Sequence, residues 1–277
     1  MLPPPAMSAQ YGHGHHESVL RSHSRRTAQN SCAYFSSSLK SNMHILDVGC
    51  GPGTITLDLA KLVPDGHVTG IEPPSADPSV LQTARNDAAK QGISNITYSV
   101  ADVLALDFPD ASFDVVHAHQ VLQHLRDPVQ ALREMVRVTK PGGLVAARDL
   151  DNKTMIWFPE SEGIERWHAS YEPLARSNGT EPNAGRHLLS WALQAGVKRE
   201  QIVASASSWC FSTPEDVVWW SSSWVERILS SRFAEVTLER GVLKQQDLDF
   251  MVQGWREWGA QPDAWFAVLH GEILCKV

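Results

Sequence analysis

A glycine-rich stretch near residue 50 contains the residues best spaced to bind a ligand. In LDVGCGPGT, glycines alternate at Gly49, Gly51 and Gly53, directly after a short apolar run. Glycines here allow a sharp turn and a close approach of ligand to backbone, and a helix beginning near Gly53 would direct free N–H groups at that ligand. The stretch therefore predicts a site for a nucleotide-type ligand.

Three carboxylates accompany these glycines. Asp47 lies two residues before the first glycine, Glu72 ends the next predicted strand, and Asp102 follows the third. A carboxylate at the glycine turn is unfavourable beside a pyrophosphate but favourable beside an ammonium or sulfonium group. Glu72 is placed to accept from ribose hydroxyls, while Asp102 and the Val103 N–H could contact adenine. Together they predict a pocket for adenine, ribose and a cationic tail without phosphate.

Strands and helices alternate in the elements that must position these residues. Short apolar runs predict strands at 44–49, 67–72, 95–100, 112–119 and 143–150. Helical patterns lie between them at 54–63, 78–91 and 128–138. The alternation predicts βαβ units on a parallel sheet, with ligands at the carboxyl ends of the strands. After residue 150 the rhythm changes to helices at 160–177, 185–195, 214–230 and 245–258, with strands at 201–211 and 264–277.

Several motifs in this order resemble those of a known enzyme family. They are LDVGCGPGT, VTGIE, ADVLALDFPDASFDVVHAHQVLQHLRDP and REMVRVTKPGG. The chain thereby resembles class I S-adenosylmethionine-dependent methyltransferases, closest to the methyltransferase type 11 group with the ubiquinone and menaquinone C-methyltransferases. The resemblance covers about residues 40 to 150 and implies S-adenosyl-L-methionine as cofactor, with S-adenosyl-L-homocysteine as product.

The resemblance also implies an architecture, an α/β fold with a Rossmann-like seven-stranded sheet. Its strand order would be 3-2-1-4-5-7-6, with the last strand antiparallel. Residues 1–40 would form an N-terminal helical lid, 41–150 the cofactor-binding core, and 151–277 the rest of the sheet with Trp-rich helical insertions that bind substrate. All three parts would form one compact domain.

Individual residues receive cofactor roles from the same resemblance. The methionine and ribose portion would be lined by Asp47, Gly49, Gly51 and Gly53. Glu72 would hold the ribose, and Asp102 and Val103 the adenine. His119 and Gln120 would lie beneath the sulfonium. Further candidate contacts are Pro73, which follows Glu72 in an unusual PPSADP segment, and Tyr11 and His15 in the predicted lid.

Two histidines are the candidate catalytic residues. A general base helps methyl transfer only when the acceptor must lose a proton, and histidine suits that role because its pKa lies near neutrality. His124 follows Gln120 by four residues, and His16 belongs to the predicted lid. The alternatives are a structural hydrogen bond for His124 and a chance cluster for His16. No metal site is expected, because the histidines lack Cys or carboxylate partners at ligand spacing.

All ten tryptophans lie after residue 156, and eight of them lie in the segments expected to enclose the acceptor, 151–200 and 212–262. Tryptophan presents a large flat surface with one N–H donor, which suits an aromatic or polycyclic acceptor, although aromatic residues also simply fill cores. The strand residues Trp209 and Trp265 are expected in the core. The candidates for substrate contact are Trp157, Trp167, Trp219, Trp220, Trp224, Trp255 and Trp258.

These observations favour a methyltransferase acting on O, C, N or S of a small metabolite, and three other classes stay open. The same fold could use the bound cation for a non-methylating rearrangement or cyclisation, or serve as a binding or regulatory module. An NAD-dependent oxidoreductase is less favoured, since Thr54 or Thr56 occupies the position of the third fingerprint glycine.

Charge and cysteine content indicate which partners and which cellular compartment to expect. The formal charge is −7 without a basic patch, which argues against nucleic acid. Four cysteines show no CxxC spacing, which predicts reduced thiols and a cytoplasmic protein. The sequence contains no run of 18 apolar residues, so no membrane span is expected. We expect a monomer or homodimer.

Overall fold

The computed structural model describes residues 25–277 and contains one mixed sheet in that range. Its strands are β1 (His44–Val48), β2 (His67–Glu72), β3 (Ile96–Val100), β4 (Phe113–His119), β5 (Thr139–Leu150), β6 (Ile156–Phe158), β7 (Ile202–Phe211) and β8 (Trp265–Lys276). The α-helices of the described residues are α1 (Ala28–Ser31), α2 (Ala33–Ser36), α3 (Thr54–Leu62), α4 (Pro78–Lys90), α5 (Pro128–Val138), α6 (Glu162–Ser177), α7 (Leu188–Gln194), α8 (Pro214–Ser230), α9 (Arg232–Glu239) and α10 (Gln245–Gly259).

The sheet runs β3-β2-β1-β4-β5-β8, with β1 to β5 parallel and β8 antiparallel to β5. β7 pairs antiparallel with the other edge of β8, since Ala267 pairs with Cys210 on one side and with Ile156 of β6 on the other. The predicted Rossmann-like α/β fold with an antiparallel last strand is therefore confirmed. Without β6 the order is β3-β2-β1-β4-β5-β8-β7, which is the predicted 3-2-1-4-5-7-6 once β7 and β8 are counted as the sixth and seventh strands.

The predicted count of seven strands is wrong, because the described residues form eight. The additional strand, β6, is three residues long and pairs with the part of β8 that extends beyond β5. A three-residue strand is too short to show a period-two pattern in the sequence. β6 is recognised only by its pairing with β8. Helix α9 was likewise not predicted, and β5 begins at Thr139 rather than at residue 143.

Local sequence explains where several helices begin. Pro78, Pro128 and Pro214 occupy first-turn positions, where the missing N–H is not needed. The preceding side chain caps each helix: Asp77 and Asp127 are two of these caps, and Thr213 accepts from the Asp216 N–H. The residue at which each helix begins determines which of its side chains face the rest of the protein.

Apolar packing occurs on both sheet faces and in a third, Trp-rich cluster. Val116 and Ala118 of β4 belong to the cluster that also contains buried residues of α5 and α7. Val115 packs with buried residues of α1, α2 and α3 on the other face. The third cluster joins α6, α8, α9 and α10 beside β8. The second face therefore continues along β4 to His117 and His119, on the side of the N-terminal helices.

The described part of the predicted lid consists of α1 and α2. Thr27 caps α1, and Trp209 of β7 donates its indole N–H to the Asn30 carbonyl at 3.1 Å. Arg25 pairs with Asp216 of α8. These contacts join the N-terminal segment to the Trp-rich part of the chain. In residues 25–277 no helix is long and apolar enough to cross a membrane.

Candidate active site

The glycine turn between β1 and α3 has the backbone that the sequence predicts. Gly49, Gly51 and Gly53 have φ values of 67°, 55° and 83°, a region that residues with a Cβ rarely adopt. At Gly53 a Cβ would also lie 2.6 Å from the Tyr98 hydroxyl. Because α3 begins directly after Gly53, the turn presents the amino end of a helix at the carboxyl end of β1.

Glu72, the last residue of β2, turns its carboxylate towards this glycine turn. Its Oε1 accepts from the Gly51 N–H at 2.5 Å, and the residue is only 8% exposed. Burial raises the pKa of Glu72 to about 7; the Gly51 N–H opposes the rise and nearby Asp47 adds to it. The Glu72 carboxylate is thus held where it could also accept hydrogen bonds from hydroxyl groups of a ligand above the turn.

Asp47 lies beneath the turn in a buried chain of polar contacts. Its Oδ2 accepts from the Thr56 hydroxyl at 2.7 Å, and its Oδ1 lies 2.7 Å from His117 Nδ1. The other ring nitrogen of His117 lies 3.5 Å from the Cys32 sulfur. Burial lowers the pKa of His117, but Cys32 and Asp47 outweigh it and raise the value to about 10. A charged His117 therefore compensates Asp47, and contact of Asp47 with a cationic ligand stays a prediction.

The residues expected around adenine lie along the ends of β2 and β3. Pro73 is exposed directly after Glu72. Asp102 is exposed as well, and its carboxylate accepts from the Leu104 N–H at 2.9 Å. Val103 is buried in the apolar cluster that includes Ile71. Their cofactor roles stay predictions.

Gln120, directly after β4, has a strained backbone and contacts β5, β8 and the segment before α1. Its φ is 54°, and a left-handed non-glycine residue costs about 1–3 kcal/mol. Its N–H donates to the Arg148 carbonyl at 2.7 Å. Its Oε1 accepts from Arg26 at 2.8 Å, and its amide nitrogen lies 3.0 Å from His270 Nε2. Strain maintained by several contacts is typical of ligand sites.

His119 lies just before Gln120 in a buried aromatic setting. Its ring centroid lies 5.7 Å from that of Trp209 and 6.3 Å from that of His270. Burial, with Arg26 and Arg148 nearby, lowers the pKa of His119 well below 6.5. His119 therefore presents a neutral imidazole at neutral pH.

A cavity opens beside Gln120 and is walled by four tryptophans. The walls contain Trp209 of β7 and Trp219, Trp220 and Trp224 of α8. The remaining lining residues described are Arg26, Gln120, Gln123, His124, Leu150, Met155, Tyr171 and Arg227. We call this space the tryptophan-walled cavity. It lies at the carboxyl end of β4, where ligands bind in this class of sheet.

The structure divides the tryptophan candidates into cavity and core. Trp219, Trp220 and Trp224 line the cavity, and Trp220 and Trp224 are at the same time buried members of the third cluster. Trp167, Trp255 and Trp258 are at most 2% exposed inside that cluster and do not line the cavity. Trp157 packs against Phe266 of the same cluster. The core predictions for the strand residues differ from the structure, because half-buried Trp209 lines the cavity and Trp265 is 37% exposed. Side chains alternate between the two faces of a strand, and the elements that pack on each face decide whether a given tryptophan is buried.

Of the two candidate bases, His124 lies within the described residues and His16 lies outside them. His124 lies in a single 3-10 turn after β4 and lines the cavity. Burial and Arg26 lower its pKa to about 3, which makes the ring a weak base at neutral pH. His16 lies outside the described residues, as do Tyr11 and His15. The roles of all four residues, including that of His124, stay predictions.

Sequence patterns did not single out several cavity residues. Arg227 and Tyr171 come from helix faces that look amphipathic, and Met155 precedes the short strand β6. Arg26 also lines the cavity, and it donates a hydrogen bond to Gln120. No local sequence pattern identifies these cavity residues, because they come together only when α6 and α8 pack beside the sheet.

Comparison with known proteins identifies the family. A family model described as a methyltransferase domain matches residues 39–204, more than half of the chain. The chain belongs to this family. The methyltransferase is 36% identical to an uncharacterized methyltransferase of Schizosaccharomyces pombe, over 98% of each chain. It is 28% identical to a "probable methyltransferase ltbC" of Aspergillus luteorubrus, over 95% of this chain and 96% of that relative.

A solved structure supports the fold of the methyltransferase. The [4+2]-cyclase SpnF matches 94% of this chain and 86% of its own, with a TM-score of 0.51 and 20% identity, a likeness that shows the fold alone. The family model and the Schizosaccharomyces pombe relative confirm the prediction of a class I S-adenosylmethionine-dependent methyltransferase. The closer resemblance to ubiquinone and menaquinone C-methyltransferases stays a prediction.

Proposed function

We propose that this methyltransferase binds S-adenosyl-L-methionine above the glycine turn and methylates a small aromatic or polycyclic metabolite held in the tryptophan-walled cavity. The observation that carries the proposal is the position of Gln120. It follows β4, the strand beside β1 and its glycine turn, and its side chain lines the cavity. A ligand over the turn and a ligand in the cavity would therefore meet at Gln120.

The residues at the turn fit this cofactor. Glu72 is a buried carboxylate at the end of β2, already oriented by the Gly51 N–H, and it suits a pair of ribose hydroxyls. Asp102 offers an exposed carboxylate at the end of the neighbouring strand β3. S-adenosyl-L-methionine supplies a methyl group on a sulfonium, which is electrophilic without help from a metal.

The chain contributes to transfer mainly by positioning and by excluding water. In-line displacement is accelerated when both reactants are held aligned in a dry site. Trp219, Trp220 and Trp224 supply flat apolar walls, and Gln120 is fixed by Arg26 and His270. Whether the acceptor atom is O, C, N or S stays open, and a base role for His124 or His16 would matter only for an acceptor that loses a proton.

Calorimetry with S-adenosylhomocysteine tests cofactor binding. Gly51→Arg would obstruct the turn and Glu72→Ala would remove the ribose acceptor, so we expect both to abolish saturable binding. Glu160→Ala, an exposed carboxylate before α6, is the matched control and should bind normally. Normal binding by both turn variants would refute the cofactor site.

Methyl transfer from labelled S-adenosylmethionine to a metabolite extract of the source organism tests the acceptor site. We expect a labelled small-molecule product whose formation falls in Trp219→Ala but not in Trp191→Ala. Trp191 stacks on His187 and packs in the first cluster, outside the cavity, so it controls for loss of an indole. Equal activity of the two variants would place the acceptor elsewhere.

Product analysis separates the remaining classes. Methylated product and S-adenosylhomocysteine in equal amounts would exclude a non-methylating rearrangement or cyclisation, the reaction type named for SpnF. Binding without turnover of any small molecule would instead favour a regulatory module. The cytoplasmic location, the lack of a nucleic-acid partner and the monomeric or dimeric state stay predictions.

A further inference from the structure

We propose that Cys32 is a positioning residue for the cofactor, coupling the N-terminal helices α1 and α2 to the glycine turn through His117 and Asp47. The inference rests on the proposed function and adds a residue to the same site. Cys32 lies before residue 39, where the match to the family model begins, so the family assignment gives it no role.

The N-terminal helices meet β4 at a single buried imidazole. Cys32 separates α1 from α2 and is fully buried, and its sulfur lies 3.5 Å from His117 Nε2. Phe35 of α2 packs on the same ring, with the two ring centroids 5.2 Å apart. Cys32 therefore supplies the polar part of this contact, and Phe35 supplies the apolar part.

His117 extends the contact from the helices to the glycine turn. Its Nδ1 lies 2.7 Å from Asp47 Oδ1, and Asp47 Oδ2 accepts from the Thr56 hydroxyl at 2.7 Å. Asp47 precedes Gly49 by two residues, and Thr56 lies in the first turn of α3, directly after Gly53. The Asp47 carboxylate thus joins the strand that enters the turn to the helix that leaves it.

Loss of the Cys32 sulfur would act on the turn through these contacts. His117 Nε2 would lose its contact in a buried setting, where an unpartnered nitrogen is unfavourable. The imidazole that fixes one oxygen of Asp47 would then be oriented less firmly, and so would the turn. Coupling between two sites acts equally in both directions, so a ligand that fixes the turn should also hold α1 and α2 on β4.

Cys275 of β8 provides a matched control for the removal of a buried sulfur. It is 1% exposed and packs in the apolar cluster that contains Val116 and Ala118. Replacement of either cysteine by alanine removes the same buried atom. Only Cys32→Ala removes the contact with His117.

Calorimetry with S-adenosylhomocysteine measures the coupling from the side of the ligand. We expect Cys32→Ala to bind about tenfold more weakly than the native protein, the effect of one lost hydrogen bond in a buried site. Cys32→Ser should keep most of the affinity, because a hydroxyl can also contact the imidazole. Cys275→Ala should bind like the native protein. Cys32→Ala combined with His117→Gln should bind no more weakly than His117→Gln alone, because both changes interrupt one path.

Thiol labelling of the native protein measures the same coupling without any substitution. N-ethylmaleimide can reach the two buried thiols only when the surrounding structure opens, and mass spectrometry follows each cysteine separately. We expect saturating S-adenosylhomocysteine to slow the labelling of Cys32 about tenfold more than that of Cys275.

Contrary outcomes distinguish this inference from the proposed function. Native-like affinity of Cys32→Ala, equal losses in Cys32→Ala and Cys275→Ala, or equal slowing of the two thiols would overturn the inference and leave Cys32 as a core residue. Additive losses in the double variant would overturn the path through His117. Failure of the native protein to bind S-adenosylhomocysteine, measured first, would instead refute the proposed function.

Discussion

Replacing Glu72 by glutamine should change how the stability of this protein depends on pH. Glu72 is buried, and its pKa is raised from an ordinary 4.5 to about 7. Between these values the folded protein retains a proton that the unfolded chain has released. The stability associated with Glu72 is therefore fully present below pH 4.5 and is lost as the pH rises through about 7.

The size of the effect follows from the two pKa values. The interval from 4.5 to about 7, at about 1.4 kcal/mol per pH unit, gives about 3.5 kcal/mol of unfolding free energy lost across the window. Glutamine resembles the protonated acid and can still accept from the Gly51 N–H, but it does not titrate. Asp149, whose pKa burial also raises to about 7, is present in both proteins. The difference between them therefore isolates Glu72.

Urea unfolding of both proteins at half-unit steps from pH 5 to 8, without cofactor, measures this difference. We expect the native protein to lose about 2–3 kcal/mol relative to Glu72→Gln as the pH rises, most of it between pH 5.5 and 7.5. Curves that stay parallel within about 0.5 kcal/mol would refute the assignment of a buried, raised carboxyl group at this position.

Three further substitutions test the turn, the cavity and the core. Gly53→Ala should lose about 1–3 kcal/mol of stability and weaken S-adenosylhomocysteine binding in calorimetry; Gly92→Ala, with φ 66° and no atom within 4 Å of the added Cβ, should keep that binding. His124→Gln should lower turnover less than about tenfold, since its pKa is about 3, whereas a hundredfold loss would establish it as the base. Trp255→Ala should destabilise the fully buried cluster by about 3–5 kcal/mol in urea unfolding, and a loss below about 1 kcal/mol would contradict a core role.

Most of the fold of residues 41–150 could be predicted without coordinates. Alternation of short apolar runs with helical patterns predicts the parallel strands, and alternate glycines predict the turn after β1, because local backbone geometry depends on local residues. Glu72 follows from its place at the end of a strand. The same reasoning missed β6 and α9, whose patterns are too short or too ambiguous.

Contacts between distant segments were beyond prediction. His117 contacts both Asp47 and Cys32, which joins three separate segments of the chain. Which tryptophans line the cavity depends on how α6, α8 and α10 pack. Sequence by itself determined the fold class, the methyltransferase family and the position of the glycine turn. Tertiary structure alone decided which tryptophans and arginines line the cavity, because side-chain direction at a helix or strand surface is set by its packing partners.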